Sequence, residues 1–461
     1  MPDTLKNKQY LFIPLAMNQT LFYEKVAENL VSKGFQVSFV CFHERSHHYL
    51  KDKGYKCHNP YRFVEYPTWS ADSTLEFEKL VQKYSMPSFY HLLTHEQVAY
   101  GIPDQKEAIL KYIWTIKNLE NIFEGHFKNT STVVIQELGG FASVISGYYV
   151  ARHYGFDHYF IEPSFFKGRY FLIKNSFGPV SVAQPDSEIQ DEVQQIIQKV
   201  QQTGEIVIPF KDRAHYLNLF DKVFNLHNFK RFYQKIADKY IHGYFEEFRY
   251  IFRFSRRHLM AFINKKKLAP YYQSESTLDE KFIYFPLHVP LDVAITFRSP
   301  VFKDQLNLID LICRSCPLGY KVVFKEHPAM VGVIPADGVI ALLKKYNHLR
   351  VLHPTINNYK VLRAASSIVT VNSKSGAEAV TLGKPVIVLG DAFYTKSPLV
   401  KEERDLSKLS EVIAESIQKP ALNQADILKY FTAVWKQSAP GDLYQLDSDT
   451  TEKFAKHFSQ L

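Results

Sequence analysis

Two short stretches of this chain bring phosphate-binding chemistry to the ends of apolar runs. Lys325-Glu326-His327-Pro328 follows Val322-Val323-Phe324. Lysine and histidine can both donate to a phosphate oxygen, and Pro328 stiffens the turn that presents them. Val371-Asn372-Ser373-Lys374-Ser375-Gly376-Ala377-Glu378 reads as a strand end, a polar turn and the start of a helix. The first amides of a helix lack intrahelical acceptors, and the helix dipole favours an anion there. Asn372, Ser373 and Ser375 add polar groups, Gly376 permits close approach, and Glu378 can accept from ribose hydroxyls. The same letters also suit an ordinary serine-capped helix with glutamate near its N-terminus.

Carboxylates supply the remaining chemistry. Phe285-Pro286-Leu287-His288-Val289-Pro290-Leu291-Asp292 places His288 and Asp292 after another apolar run, with Arg298-Ser299-Pro300 close behind. A carboxylate near an arginine is either a structural ion pair or an active group. Glu137 and Glu162 end two apolar runs in the first half of the chain. Sugar transfer needs carboxylates for proton transfer or for a covalent glycosyl intermediate. No D-x-D pair suited to holding Mg²⁺ on a diphosphate accompanies these loops, so no metal and no cofactor beyond the donor substrate is expected. Cys313-x-x-Cys316 falls in a helical stretch without a second ligand pair and reads as two buried small residues. Cys57-His58 is read as isolated.

The elements that must position these groups alternate at short spacing. Gln9–Leu15 and Phe35–Phe42 read as strands around a helix that Asn18 or Thr20 caps and Gly34 ends. The first strand–helix turn, Ala16-Met17-Asn18-Gln19, lacks a glycine fingerprint, which argues against a nicotinamide or flavin site. Helices are expected over 74–97, 105–127 and up to Tyr154, and a polar one over 185–202. Strands are expected at Thr132–Gln136 and His158–Ile161. Phe229–Lys267 is a long basic-aromatic helical segment, suited to an anionic acceptor or lipid head groups, or else to a solvated interdomain helix. Ala269–Asp279 reads as a linker. A second series then gives strands at 282–285, 320–324, 350–352, 367–371 and 385–389, with helices at 302–316, 337–345, 358–364 and 376–382.

This pattern predicts an α/β chain of two Rossmann-like, doubly wound domains facing a cleft. The expected boundaries are 1–270 for an acceptor domain and 280–461 for a nucleotide-sugar domain with C-terminal helices. A length of 461 residues fits two cores. The net charge of +9 favours anionic partners, and no nucleic-acid motif is visible. Four cysteines exclude a disulfide scaffold. The polar start, Met1–Lys8, and the lack of a long apolar run imply a cytoplasmic protein that touches a membrane only peripherally.

Phe285–Asp292, Arg298–Pro300, Phe324–Pro328, Val371–Glu378 and Leu389-Gly390-Asp391-Ala392-Phe393-Tyr394 together resemble, in order and spacing, the capsular polysaccharide synthesis family, which includes bacterial transferases of 3-deoxy-manno-octulosonic acid (Kdo). The N-terminal half is similar more loosely, through Ile161–Phe166 and the 168–178 stretch, where Asn175 replaces a frequent Asp. Arg298 stands where relatives often carry His. The resemblance implies a GT-B-like fold and transfer of Kdo, or a similar sugar, from CMP to a surface glycan or glycolipid. It implies that Lys325, His327, Ser373 and Ser375 bind the nucleotide phosphate. Asp292 would be the nucleophile of a retaining reaction and Glu162 the second carboxylate, with Glu137 and His288 as alternatives at comparable strand ends. The alternatives are a UDP-sugar epimerase, which the turn Ser375-Gly376-Ala377-Glu378 would serve equally well, and a non-catalytic export or glycan-binding protein that keeps the fold without turnover.

Overall fold

A computed structural model describes residues 8–87, 89–182, 189–205, 207–216, 226–244 and 248–461. Its strands are β1 Lys8–Phe12, β2 Gln36–Val40, β3 Lys56–His58, β4 Ser131–Glu137, β5 Asp157–Pro163, β6 Arg169–Lys174, β7 Tyr272–Gln273, β8 Phe282–Pro286, β9 Lys321–Lys325, β10 Leu349–Leu352, β11 Ser367–Thr370, β12 Val386–Val388, β13 Lys401–Glu402 and β14 Ala439–Pro440. They form two sheets, each the core of one compact unit.

The first sheet runs β3-β2-β1-β4-β5-β6-β14. β1 to β5 are parallel, and β6 and β14 add antiparallel strands at one edge. β1 is almost wholly buried, as a central parallel strand covered on both faces must be. Chain order reverses between β1 and β4, so the crevice at their carboxyl ends is the place for a ligand. The second sheet runs β7-β10-β9-β8-β11-β12-β13 and is parallel throughout. Its reversal falls between β8 and β11. Both units are therefore doubly wound and Rossmann-like.

The boundaries differ from those expected at 270 and 280. The first unit holds Met1–Phe177, Pro209–Ile251 and Ser438–Leu461; the second holds Gly178–Ile208 and Phe252–Gln437. Aromatic packing draws the 438–461 segment to the first sheet. On helix Ser448–Phe458, the Phe454 ring stacks on Tyr170 at 4.0 Å and meets Phe22 edge-on at 4.9 Å. The Tyr10 hydroxyl donates to Phe458 O at 2.7 Å. Gln190–Thr203 joins the second unit, where Asn357 Nδ2 donates to Gly204 O at 3.1 Å just beyond the helix.

Other elements correct the expectations locally. The 74–97 stretch is two helices, Ser73–Lys83 and Phe89–Val98, because Ser85 turns left-handed (φ 49°) and Pro87 cannot continue a helix. The basic-aromatic segment is likewise two helices, Leu226–Tyr240 and Phe248–Leu268, with Gly243 at φ +65° between them. The supposed linker contributes β7, whose Tyr272 and Gln273 pair with Val351 and Leu352 of β10. β6 went unread because its partner β5 lies antiparallel to it, against the βαβ rhythm.

Candidate functional site

The second unit gathers most of the predicted residues at its switch point. β8 runs into Leu287-His288, and β11 into Val371-Asn372. Across this gap the backbone N–H of Asn372 donates to His288 Nε2 at 3.4 Å. Gln305, at the start of helix Gln305–Ser315, clamps the loop after β8 from both sides: it accepts from His288 N at 2.8 Å and donates to His288 O at 3.2 Å. Asn372 Nδ2 donates to Ala294 O at 2.7 Å and to Ser299 Oγ at 3.2 Å, tying both loops together. Its Oδ1 is buried and has no hydrogen-bond partner, so one acceptor is left unsatisfied where the loops after β8 and β11 meet.

Asp292 is exposed, and its Oδ1 accepts from Ala294 N at 2.9 Å. Its carbonyl accepts from Thr296 N at 2.9 Å and Thr296 Oγ1 at 2.8 Å, just before a π-helical turn over Ala294–Arg298. Single π-turns of this kind recur at functional sites. Arg298 Nη2 donates to Gly178 O at 3.0 Å, and Ser299 Oγ also accepts from Asp391 N at 3.2 Å.

His288 and His327 occupy one electrostatic environment with Asp292. Burial is the main cause that pushes each imidazole down to about 4; Asp292 acts upward on both, while His327 presses His288 down and Lys325 presses His327 down. His327 caps the short turn at Pro328, its Nδ1 accepting from Ala329 N at 3.3 Å. Lys325 is buried and donates to Ile356 O at 2.7 Å, and burial lowers its ammonium to about 8. Through that bond one of its three ammonium donors braces the loop after β10. Glu326 is occupied as well, accepting from Tyr272 Oη at 2.6 Å and Gly332 N at 2.8 Å.

Ser373 caps helix Lys374–Thr381, its Oγ accepting from Ser375 N at 3.2 Å. Ser375 Oγ accepts from Asn358 Nδ2 at 3.0 Å, and the same nitrogen donates to Glu378 Oε2 at 2.7 Å. Burial raises the Glu378 carboxyl above its ordinary range. Tyr284 Oη completes the chain by donating to Asn358 Oδ1 at 3.0 Å. Gly376 is explained from the opposite side to that expected: a Cβ there would lie 2.3 Å from Tyr394 Oη. The glycine leaves room for a tyrosine, whose hydroxyl donates to Ser373 O.

Glu137 and Glu162 belong to the first unit. Glu137 ends β4 at that sheet's own switch point. Lys211 Nζ donates to its Oε1 at 2.5 Å, and Gln19 Nε2 at 2.8 Å and the Tyr444 hydroxyl donate to Oε2. Three donors from three distant parts of the sequence hold this carboxylate. Glu162 lies within β5, opposite Phe171 of β6. Asn175 has φ 50°, a left-handed turn that asparagine tolerates, and its Oδ1 accepts from His158 N at 2.8 Å. Among the described residues no three His, Cys, Asp or Glu are placed to hold a metal. The Asp447-Ser448-Asp449 triplet is a helix start: Asp447 accepts from Thr450 N at 2.9 Å.

The sequence reading missed Gln305, Asn358, Lys211 and Tyr444. Only Asn358 left a signal, standing second in the polar pair Asn357-Asn358 after an apolar strand. Cys57, read as isolated, has its Sγ 3.3 Å from Cys41 Sγ and 3.2 Å from His47 Nδ1.

Residues 182–437 match the family described as capsule polysaccharide biosynthesis protein. The chain belongs to that family. The match ends at Gln437, where the chain leaves the second unit. A stretch of 135 residues is 31% identical to Protein FixF of Sinorhizobium fredii, covering 29% of this chain and 32% of FixF. The matched stretch thus spans about a third of that relative's length. Similar solved structures include the Thermosulfurimonas dismutans KpsC beta Kdo 2,4 transferase, at 13% identity and TM-score 0.35, over 72% of this chain and 87% of that one. The UDP-GlcNAc 2-epimerase of Methanocaldococcus jannaschii is similar at 10% identity and TM-score 0.27, over 98% and 100%.

Proposed function

We propose that this protein is a glycosyltransferase that moves Kdo, or a similar sugar, from a CMP-activated donor to a surface glycan or glycolipid on the cytoplasmic side of a membrane. The observation that carries this reading is the grouping of Asp292, His288, His327 and the N-terminus of helix Lys374–Thr381 around one switch point, in a member of a capsule-building family. The helix N-terminus and His327 receive the nucleotide phosphate. The buried Oδ1 of Asn372 accepts from a donor hydroxyl, and Glu378 serves the ribose.

Asp292 is the proposed nucleophile. Its carboxylate attacks the anomeric carbon while the bond to the CMP oxygen breaks, giving an aspartyl-linked sugar. The acceptor hydroxyl then attacks the same carbon, losing its proton to a base, and the Asp292 carboxylate leaves. Two inversions return the original configuration.

The test is a thermal-shift screen with CMP, UDP and GDP, followed by transfer assays. CMP alone should raise the melting temperature. His327→Ala should weaken CMP at least tenfold, the worth of one charge-assisted bond of about 1.5–3 kcal/mol. Asp292→Asn should abolish transfer and leave CMP affinity and stability intact, since Asn can still accept from Ala294 N. Glu162→Gln should impair transfer in a folded enzyme, and turnover should persist in EDTA. A folded Asp292→Asn enzyme with near-normal turnover sinks the nucleophile assignment, and conversion of a UDP-sugar without acceptor points to epimerase chemistry.

A further inference from the structure

Helix Phe248–Leu268 carries seven Lys and Arg residues and no Asp or Glu. One side of its C-terminal half is moored to the second unit. Ala261, Asn264 and Leu268 are buried there, and Asn264 donates to Gly332 O at 2.9 Å. The mooring is close: a Cβ on Gly332 would overlap the Ala261 carbonyl.

At 100° per residue, positions 252, 256, 259, 263 and 266 fall on the opposite side of the helix, with 262 beside them. That outward face should be polar in a surface helix. Instead Phe252 is 75% exposed, Leu259 59%, Phe262 44% and Ile263 37%. Arg256 and Lys266 lie among them, and Lys266 Nζ sits 4.5 Å over the Phe262 ring.

We propose that this outward face docks the protein on an anionic lipid bilayer, with the helix lying flat in the head-group layer. Apolar side chains rimmed by cations are what such an interface takes: the rings and branched chains enter the acyl boundary while the cations stay at the phosphates. A second copy of the chain fits less well, because a two-fold contact would set two faces bearing only cations against one another.

The experiment is co-sedimentation of the full chain with phosphatidylcholine vesicles, with and without one third phosphatidylglycerol. Binding should require the anionic lipid and weaken with salt. Each cation near such a surface is worth about fivefold in partitioning, so Arg256→Gln/Lys266→Gln should lose about 25-fold. Leu259→Ser/Ile263→Ser should weaken binding comparably and leave a more salt-sensitive remainder. Both variants alter exposed residues, so thermal unfolding should match the parent protein. Equal partitioning to neutral and anionic vesicles overturns the proposal. So does a Leu259→Ser/Ile263→Ser variant that binds vesicles normally while a dimer of the parent protein becomes monomeric, which gives the face to a second copy.

Discussion

Two neutral imidazoles side by side make the second unit acid-sensitive by a calculable amount. His288 and His327 each titrate near 4 in the folded protein, chiefly because of burial, against an ordinary value of 6.5. The unfolded chain therefore takes up protons below about pH 6.5 that the folded chain refuses until about pH 4. Stability is full above that window and falls through it as pH drops. At pH 5 each site costs RT ln[(1 + 10^1.5)/(1 + 10^−1)], about 2 kcal/mol, so the pair costs about 4 kcal/mol relative to pH 8. The perturbation is His288→Gln with His327→Asn. The glutamine carbonyl can accept from Asn372 N as His288 Nε2 does, and the asparagine carbonyl can accept from Ala329 N as His327 Nδ1 does. Neither replacement titrates. Urea unfolding at pH 8 and pH 5 should show the double variant losing about 4 kcal/mol less than the parent protein between the two. His58 and His158 are also pushed down by burial, to about 4 and about 3, so the difference between proteins is the quantity to read. An identical pH slope in both refutes the argument that these two histidines are held neutral.

Three more outcomes are expected. Gly376→Ala should destabilise by about 1–3 kcal/mol in thermal or urea unfolding, and Tyr394→Phe should recover part of it by removing the atom in closest contact. Glu137→Gln should cost about 2 kcal/mol by breaking the ion pair with Lys211, with CMP affinity of the folded variant unchanged; weakened CMP binding would assign Glu137 to the donor site. Hydrogen bonds from Cys41 and His47 draw the Cys57 thiol down to about 6, whereas burial raises Cys313 to about 12 and Cys316 to about 11. Iodoacetamide at pH 7 should therefore label Cys57 first by peptide mapping, and Cys41→Ala should slow it by removing one of those donors.

What the sequence revealed follows from how locally each feature is encoded. The strands at 282–286, 321–325 and 367–370 are continuous apolar runs with turn residues at their ends, so both they and the loops carrying His288, His327 and Ser373 could be placed in advance. β7 and β14 are two-residue strands whose identity exists only through the neighbours they pair with. Lys325 was read by type as a phosphate donor; its bond to a carbonyl thirty-one residues away is one that no local pattern encodes. The cage around Glu137 is illegible for the same reason: Gln19, Lys211 and Tyr444 converge only after both ends of the first unit have met.

That meeting sets the order in which the chain can be finished during synthesis. The first sheet begins with residue 8, yet its outermost strand and the helix that buries Phe12, Phe22 and Tyr170 come from 438–461. At about 5–20 residues per second, the ribosome needs tens of seconds to traverse the intervening second unit. Through that interval β1 and helix Met17–Ser32 present an uncovered aromatic face, and the unit translated first is completed last. A chain cut short near residue 437 would carry a second unit tethered to an adhesive, half-covered sheet.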